Sequence, residues 1–142
     1  DANDRPRANN DRVKVAVCGA HMQGLPLNRD LVSRGARLVE ATHTAPHYRL
    51  SALAAAPDST RRPGMRRVSD GGTAIAIEVW EMPSLELGSF IATIPSPLAL
   101  GKIELSDGQW VTGFVCESYG LESGADITEF GGWRAWLASL SR

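Results

Sequence analysis

The chain has 142 residues, 43% hydrophobic and 22% charged, with 15 Lys and Arg against 16 Asp and Glu for a net charge of −1. That is one domain with room for a real core, and its charge balance argues against nucleic acid or an anionic membrane as partner. Apolar runs fall short of the roughly 18 residues that a membrane helix needs, and Cys18 and Cys116, each in an apolar run, read as buried free thiols of a reducing, cytoplasmic setting.

Residues 1–12 are polar and aperiodic, the composition of a disordered tail or interdomain linker, with residues 13–142 as the single domain. The chain opens on Asp1 instead of Met, as expected either of a removed tag or, the preferred reading, of a C-terminal domain cut from a larger protein. Residues 13–18 form a nearly continuous apolar run and predict a central strand. It leads into Gly19-Ala20-His21-Met22-Gln23-Gly24. The glycines permit a sharp turn that exposes successive N–H groups, a cradle for an anion. A histidine there can exchange a proton near neutral pH. This loop points to a small anionic substrate, with His21 catalytic and Gly19, Ala20, Met22, Gln23 and Gly24 binding. The alternative is that His21 only braces the loop.

Residues 28–34 predict a short helix capped by Asn28 and stopped by Gly35. Residues 37–42 alternate as a strand, Pro46 bends residues 44–47, and residues 48–53 are strand-like again. Tyr48 and Arg49, just past the bend, are candidates to present a hydroxyl and a cation to the same pocket; the alternative, favoured for Arg49, is a strand with one packed ring and one solvated arginine. His43 and His47 are four apart, but Pro46 breaks any helix through both, so no metal site is expected, nor any organic cofactor. Residues 54–64 read as an exposed loop, and Arg61-Arg62 and Arg66-Arg67 as solvated pairs.

Gly71-Gly72 marks a turn into a strand over residues 73–81, with Ile75, Ile77 and Val79 on one face and Ala74, Ala76, Glu78 and Trp80 on the other. Residues 84–94 predict a helix whose apolar stripe is Leu85, Leu87, Phe90, Ile91 and Ile94. A hairpin turns at Asp107-Gly108 between residues 103–105 and 110–116. Asp126-Ile127-Thr128-Glu129 resembles a capping box for a closing helix over residues 128–140, with Gly131-Gly132 inside it. The four tryptophans are expected in the core, and Glu117 either at the pocket or on a solvated strand end. Strands outnumber helices, which gives an α+β fold, its mixed or antiparallel sheet curled towards a small barrel with short helices packed on it.

Ordered blocks span the chain: Gly-Ala-His-Met-Gln-Gly-Leu-Pro-Leu-Asn at residues 19–28, Thr-Ala-Pro-His-Tyr-Arg-Leu at 44–50, Pro-Gly at 63–64 and Glu-Val-Trp-Glu at 78–81. Gly-Ser-Phe at 88–90, Ile-Pro-Ser-Pro-Leu at 94–98, Gly-Phe-Val-Cys-Glu at 113–117 and Asp-Ile-Thr-Glu-Phe-Gly-Gly-Trp at 126–133 continue the series. Together they resemble the C-terminal domain of allophanate hydrolases. The resemblance implies a gamma-glutamyl cyclotransferase-like fold and decarboxylation of N-carboxycarbamate in the breakdown of urea and allophanate. It also implies an amidase domain on the same or a partner chain, and it puts His21 at the position of the family's essential histidine. The amidase step itself has no machinery here: Lys14 and Lys102 are the lysines, and no Gly/Ser-rich region accompanies them.

In the related cyclotransferases a strand leads into a Tyr-Gly-Ser/Thr-Leu loop, similar to Cys18-Gly19-Ala20-His21. Their glutamate base falls in a segment corresponding here to residues 90–98, which hold no acid. Two other readings stay open: a structural assembly module for a partner amidase, and a cyclotransferase-like activity on a small amide. The acids available to the latter are Glu78, Glu81 and Glu117. Homo-oligomerisation is undecided by the sequence.

Overall fold

The structure, a computed structural model, describes residues 11–55, 58 and 60–141. The expected tail therefore lies outside the described residues up to residue 10, and Arg12 already belongs to the first strand. Among the described residues, eight strands form two sheets. Strands β1 (Arg12–Val17), β2 (Arg37–His43), β5 (Ala76–Pro83), β6 (Leu98–Glu104) and β7 (Trp110–Cys116) make a sheet in the order β2-β5-β1-β7-β6. Strands β3 (Tyr48–Ala52), β4 (Pro63–Arg67) and β8 (Ala125–Asp126) make a second, in the order β4-β3-β8.

The apolar run of β1 places it mid-sheet, antiparallel to β5 (Val15 opposite Trp80) and parallel to β7 (Val15 opposite Thr112). Val15, Ala16 and Val17 are buried in succession, so both faces of the strand are covered. The same holds in β5, where Ile77, Glu78, Val79 and Trp80 are all buried and the expected division into an apolar and a polar face is lost. The sheet is mixed and strongly bent but does not close into a barrel. Its edges meet at one corner, where Thr44 bridges Leu105, the Ala45 amide donates to Glu104 O at 2.9 Å and the Ser106 amide to His43 O at 3.0 Å.

Several local expectations change. The segment read as an exposed loop ends in β4, whose Pro63, Gly64 and Met65 are buried. Proline is tolerated as a first strand residue, and a Cβ on Gly64 would lie 2.8 Å from Cys116 Sγ, so glycine is what lets β4 approach β7. The helix α1 (Asn28–Val32) is shorter than expected, and Asn28 does not cap it; its side chain donates to His21 O at 2.8 Å instead. The predicted helix over 84–94 is a single 3-10 turn, Ser84–Glu86, followed by α2 (Leu87–Ile91). The break in periodicity throws Leu85 and Ile91 outward (96% and 47% exposed) and leaves Phe90 fully buried.

The closing helix is also split. A 3-10 turn at Thr128–Phe130 ends on Gly131 in the left-handed region, φ +77°, and α4 (Trp133–Ser139) starts afresh. Asp126 accepts from the Thr128 amide at 2.9 Å as a local turn, and no capping box forms. Between β7 and β8 a further short helix, α3 (Ser118–Glu122), begins just after Glu117. Trp80, Trp133 and Trp136 are core residues, whereas Trp110 is 53% exposed with the Arg67 guanidinium 4.9 Å above its ring. Cys18 is buried and Cys116 half-buried, both as free thiols; burial pushes the Cys18 thiol up to about 12.

Candidate active site

Strand β1 runs out at Val17, and the chain turns at once through the glycine-bounded loop. The loop's internal bonds use the amides of Met22 (to Gly19 O), Leu25 (to Met22 O) and Leu27 (to Ala20 O). The Gln23 amide donates to Glu78 Oε1 at 2.8 Å. Among the described residues, no loop bond uses the amides of Gly19, Ala20 or His21. The Gly24 amide is likewise unused, but Gly24 is exposed and does not border the cleft at His21, so the unused amides beside that cleft are those of Gly19, Ala20 and His21.

The remaining candidates of the loop face elsewhere. Met22 is 3% exposed and packs in the core, while Gln23 and Gly24 are exposed. Glu78 and Arg134 clamp that side: Arg134 Nη2 donates to Gln23 O at 2.7 Å and to Glu78 Oε2 at 2.9 Å, and Trp80 Nε1 donates to Glu78 Oε1 at 3.0 Å. The bend at Pro46 carries Tyr48 and Arg49 into the second sheet, and neither borders the cleft at His21. Tyr48 is buried and its hydroxyl accepts from the Glu104 amide at 2.9 Å. Arg49 pairs with Asp126 at 2.8 Å and donates to Gly71 O at 2.6 Å.

His21 is 6% exposed. Its ring lies 4.8 Å from that of Phe114, tilted by 30°, and meets Phe90 edge-on at 5.4 Å. Burial among these rings pushes its pKa down to about 4; Asp30 opposes the shift and Arg62 adds to it. The imidazole is therefore neutral at pH 7, not the imidazolium that a ready proton donor requires.

A pH dependence of stability follows. The unfolded chain takes up the His21 proton near 6.5 and the folded chain only near 4, so this contribution to stability is complete above 6.5 and is lost as pH falls towards 4. The loss from this group amounts to about 3 kcal/mol. Urea unfolding at pH 4.5 and 7.5 should show this difference in the native chain and a smaller one in His21→Asn, which has nothing to titrate. Equal pH slopes in the two proteins would contradict the burial of a neutral ring.

Arg62, which reads from its neighbours as half of a solvated pair, is the site residue that sequence reasoning missed. It is 8% exposed and joins His21, Gly19, Ala20, Leu98 and Phe114 around a cleft of about 10 Å³, room for about one water. Its terminal nitrogens are held by Asp58 at 3.0 and 3.2 Å, which keeps that carboxyl down at about 2. The Arg62 Nε–H is buried without an acceptor among the described residues. Arg62 and Leu98 also border a second cavity of about 260 Å³, reached by Ser96 and Tyr119.

Fold and site together define a small α+β domain in which a neutral histidine and a buried arginine meet beneath an open cavity. The chain belongs to the family of allophanate hydrolase C-terminal domains, which it matches over residues 13–138. It is 39% identical over 135 residues to urea amidolyase of Saccharomyces cerevisiae, a match covering 92% of this chain and 7% of that protein. A solved allophanate hydrolase of Kluyveromyces lactis superposes with a TM-score of 0.88 at 38% identity, covering 96% of this chain and 22% of that one. The structure of c4763, described as a uropathogenic E. coli-specific protein, superposes with a TM-score of 0.82 at 35% identity, covering 89% of this chain and 96% of that one. The yeast relatives are thus much longer chains in which the matching domain is a small part. No helix among the described residues is long and apolar enough to cross a membrane.

Proposed function

We propose that the chain decarboxylates N-carboxycarbamate, in the breakdown of allophanate and urea, alongside an amidase domain of the same or a partner chain in the cytoplasm. The observation that carries this reading is a buried, neutral His21 beside an Arg62 whose Nε–H has no acceptor among the described residues. A buried cation with a spare donor is stabilised by an anion, and N-carboxycarbamate is a dianion built on one nitrogen.

The chemistry needs one carboxylate held, the other free to leave, and a proton for nitrogen. Arg62 and the amides of Gly19–His21 hold the first. Phe114 and Leu98 offer the second no donors, which favours its conversion to neutral carbon dioxide over retention of its charge. Dianion binding raises the proton affinity of His21, so substrate and proton arrive together. As the C–N bond breaks, its electron pair passes to nitrogen, which takes the His21 proton. Carbon dioxide and carbamate are released and the ring is neutral again. The cleft is smaller than the dianion, and Arg62 and Leu98 also line the outer cavity of about 260 Å³, so the bound dianion extends into that cavity.

A cyclotransferase reaction needs an unengaged acid at the site. Glu78 is held by Gln23, Trp80 and Arg134, Glu81 by Arg12 and Arg37, and Glu117 accepts from Ser96 and does not line the cleft at His21. The test is a coupled assay in which an isolated amidase domain produces N-carboxycarbamate from allophanate. Adding this chain should accelerate release of carbon dioxide and the second ammonia above the spontaneous rate. No acceleration by demonstrably folded chain would overturn the proposal in favour of an assembly role.

A further inference from the structure

The far end of the His21 loop is fastened from outside by a closed ring of hydrogen bonds. The Gln23 amide donates to Glu78 Oε1 at 2.8 Å, Arg134 Nη2 donates to Glu78 Oε2 at 2.9 Å, and the same nitrogen donates to Gln23 O at 2.7 Å. Both backbone groups of Gln23 are thereby held, two residues along the chain from His21. Glu78 is firmly set in the sheet: it is 7% exposed, and Trp80 Nε1 donates to it at 3.0 Å. It lies directly opposite Val17, where β1 gives way to the loop. On the other side of the loop, Asn28 Nδ2 donates to His21 O at 2.8 Å. Arg134 reaches this ring from α4, and its side chain is 50% exposed.

That exposure bears on what the contact does. An ion pair made by a half-exposed guanidinium adds little to stability. Its effect on the ring can be far larger, because a misplacement of about 1 Å in a reacting group costs about a hundredfold in rate. We propose that Arg134 is a positioning residue for His21: it closes the ring of bonds that seats the loop and keeps the imidazole against Phe114 and Phe90. Its effect on turnover rests on the reading of His21 as the proton donor. Without Arg134 the Gln23 carbonyl loses its partner and the buried Glu78 carboxylate its counter-ion among the described residues. Water entering beneath the loop relieves both losses and unseats it.

The test substitutes Arg134 in the 142-residue chain and reads the place of the ring directly. The His21 ring resonance, identified by its absence from His21→Asn, is followed by NMR from neutral pH down to about 5. The native ring should stay neutral throughout, because burial holds its pKa down at about 4. Arg134→Met should bring the midpoint up into that range as the loosened ring regains water. The charges that act on His21 are Asp30 and Arg62, so loss of the Arg134 charge does not by itself produce the change. In the coupled assay kcat should fall about tenfold, with KM within about twofold of native. Arg134→Lys should restore both readouts, since one nitrogen makes both bonds of Arg134 and an ammonium has the donors to do the same. Arg12→Met is the control. It breaks the pair with Glu81 at the opposite end of β1 and should leave both readouts native. A His21 titration unchanged in Arg134→Met, or changed equally in Arg12→Met, would overturn the proposal. A native chain without turnover would instead overturn the decarboxylation, and the titration would still decide the place of the ring.

Discussion

Substituting His21 by asparagine is expected to lower the decarboxylation rate per folded molecule by about 10²–10⁴-fold, to the spontaneous background if the native acceleration is smaller than that. Asparagine keeps a planar polar group on the loop but has no proton to give nitrogen at neutral pH. Alanine is the poorer choice, because His21 packs on Phe114 at 4.8 Å and Phe90 at 5.4 Å, and truncation there opens a void in the core. An alanine variant would lose stability for reasons of packing alone, at about 2 kcal/mol or more. The measurement is the coupled assay with folded fraction fixed by unfolding curves. An asparagine variant with native turnover would remove His21 from the chemistry and leave it as a packed ring that shapes the loop.

The largest structural effect is expected from Gly72→Ala. A Cβ at this position would lie 2.6 Å from His47 C, 2.8 Å from His47 Cα and 2.8 Å from Tyr48 N, all backbone atoms with no torsion to relieve the contact. The same place carries the reciprocal pair in which the Tyr48 amide donates to Thr73 O at 3.1 Å and the Thr73 amide to Tyr48 O at 2.9 Å. Relief means pushing the two segments apart and breaking that pair, which moves the start of β3. The expected cost is about 3 kcal/mol or more, a fall of about 10 °C in melting temperature for a domain of this size. Gly108→Ala is the matched control. It has φ +89° but open space around it, so its cost should stay at about 1 kcal/mol from backbone strain alone. Equal melting points for the two variants would show that the Gly72 contact relaxes without consequence.

Much of the molecule was legible where one local rule dominates. The apolar run of β1, the Asp107-Gly108 hairpin and the strand around Ile77 and Val79 all form, because pattern and tertiary environment agree there. The errors fall where partners distant in sequence decide. Arg62 looks solvated beside Arg61, and only the folding of β4 against β3 and β7 buries it at the cleft. Glu78 reads as the polar member of an alternating strand, yet Trp80, Gln23 and Arg134 enclose it from three segments. Leu85 and Ile91 fit a helical stripe that the 3-10 turn disrupts. In the candidate site, the loop glycines and His21 were visible as a motif, but which amides remain open was fixed by bonds to Glu78 and within the loop. Tyr48 and Arg49 were placed by nearness to a bend, and the bend leads the other way.

The parallel pairing of β1 with β7 has a consequence for how the chain reaches its native state. Val15 meets Thr112 and Ala16 meets Gly113, so the centre of the main sheet is joined by segments from opposite ends of the sequence. Ribosomal synthesis delivers β1, together with the loop that carries His21, well before the strand that completes its second edge. Until then one side of β1 offers unpaired amides and carbonyls, a template for association with other nascent chains. Closing so long a loop delays the rate-limiting contacts, which makes folding slow for a domain of this length. The cleft that His21 and Arg62 share is walled by Phe114 of β7, so the proposed activity should appear with the last kinetic phase of refolding and not before it.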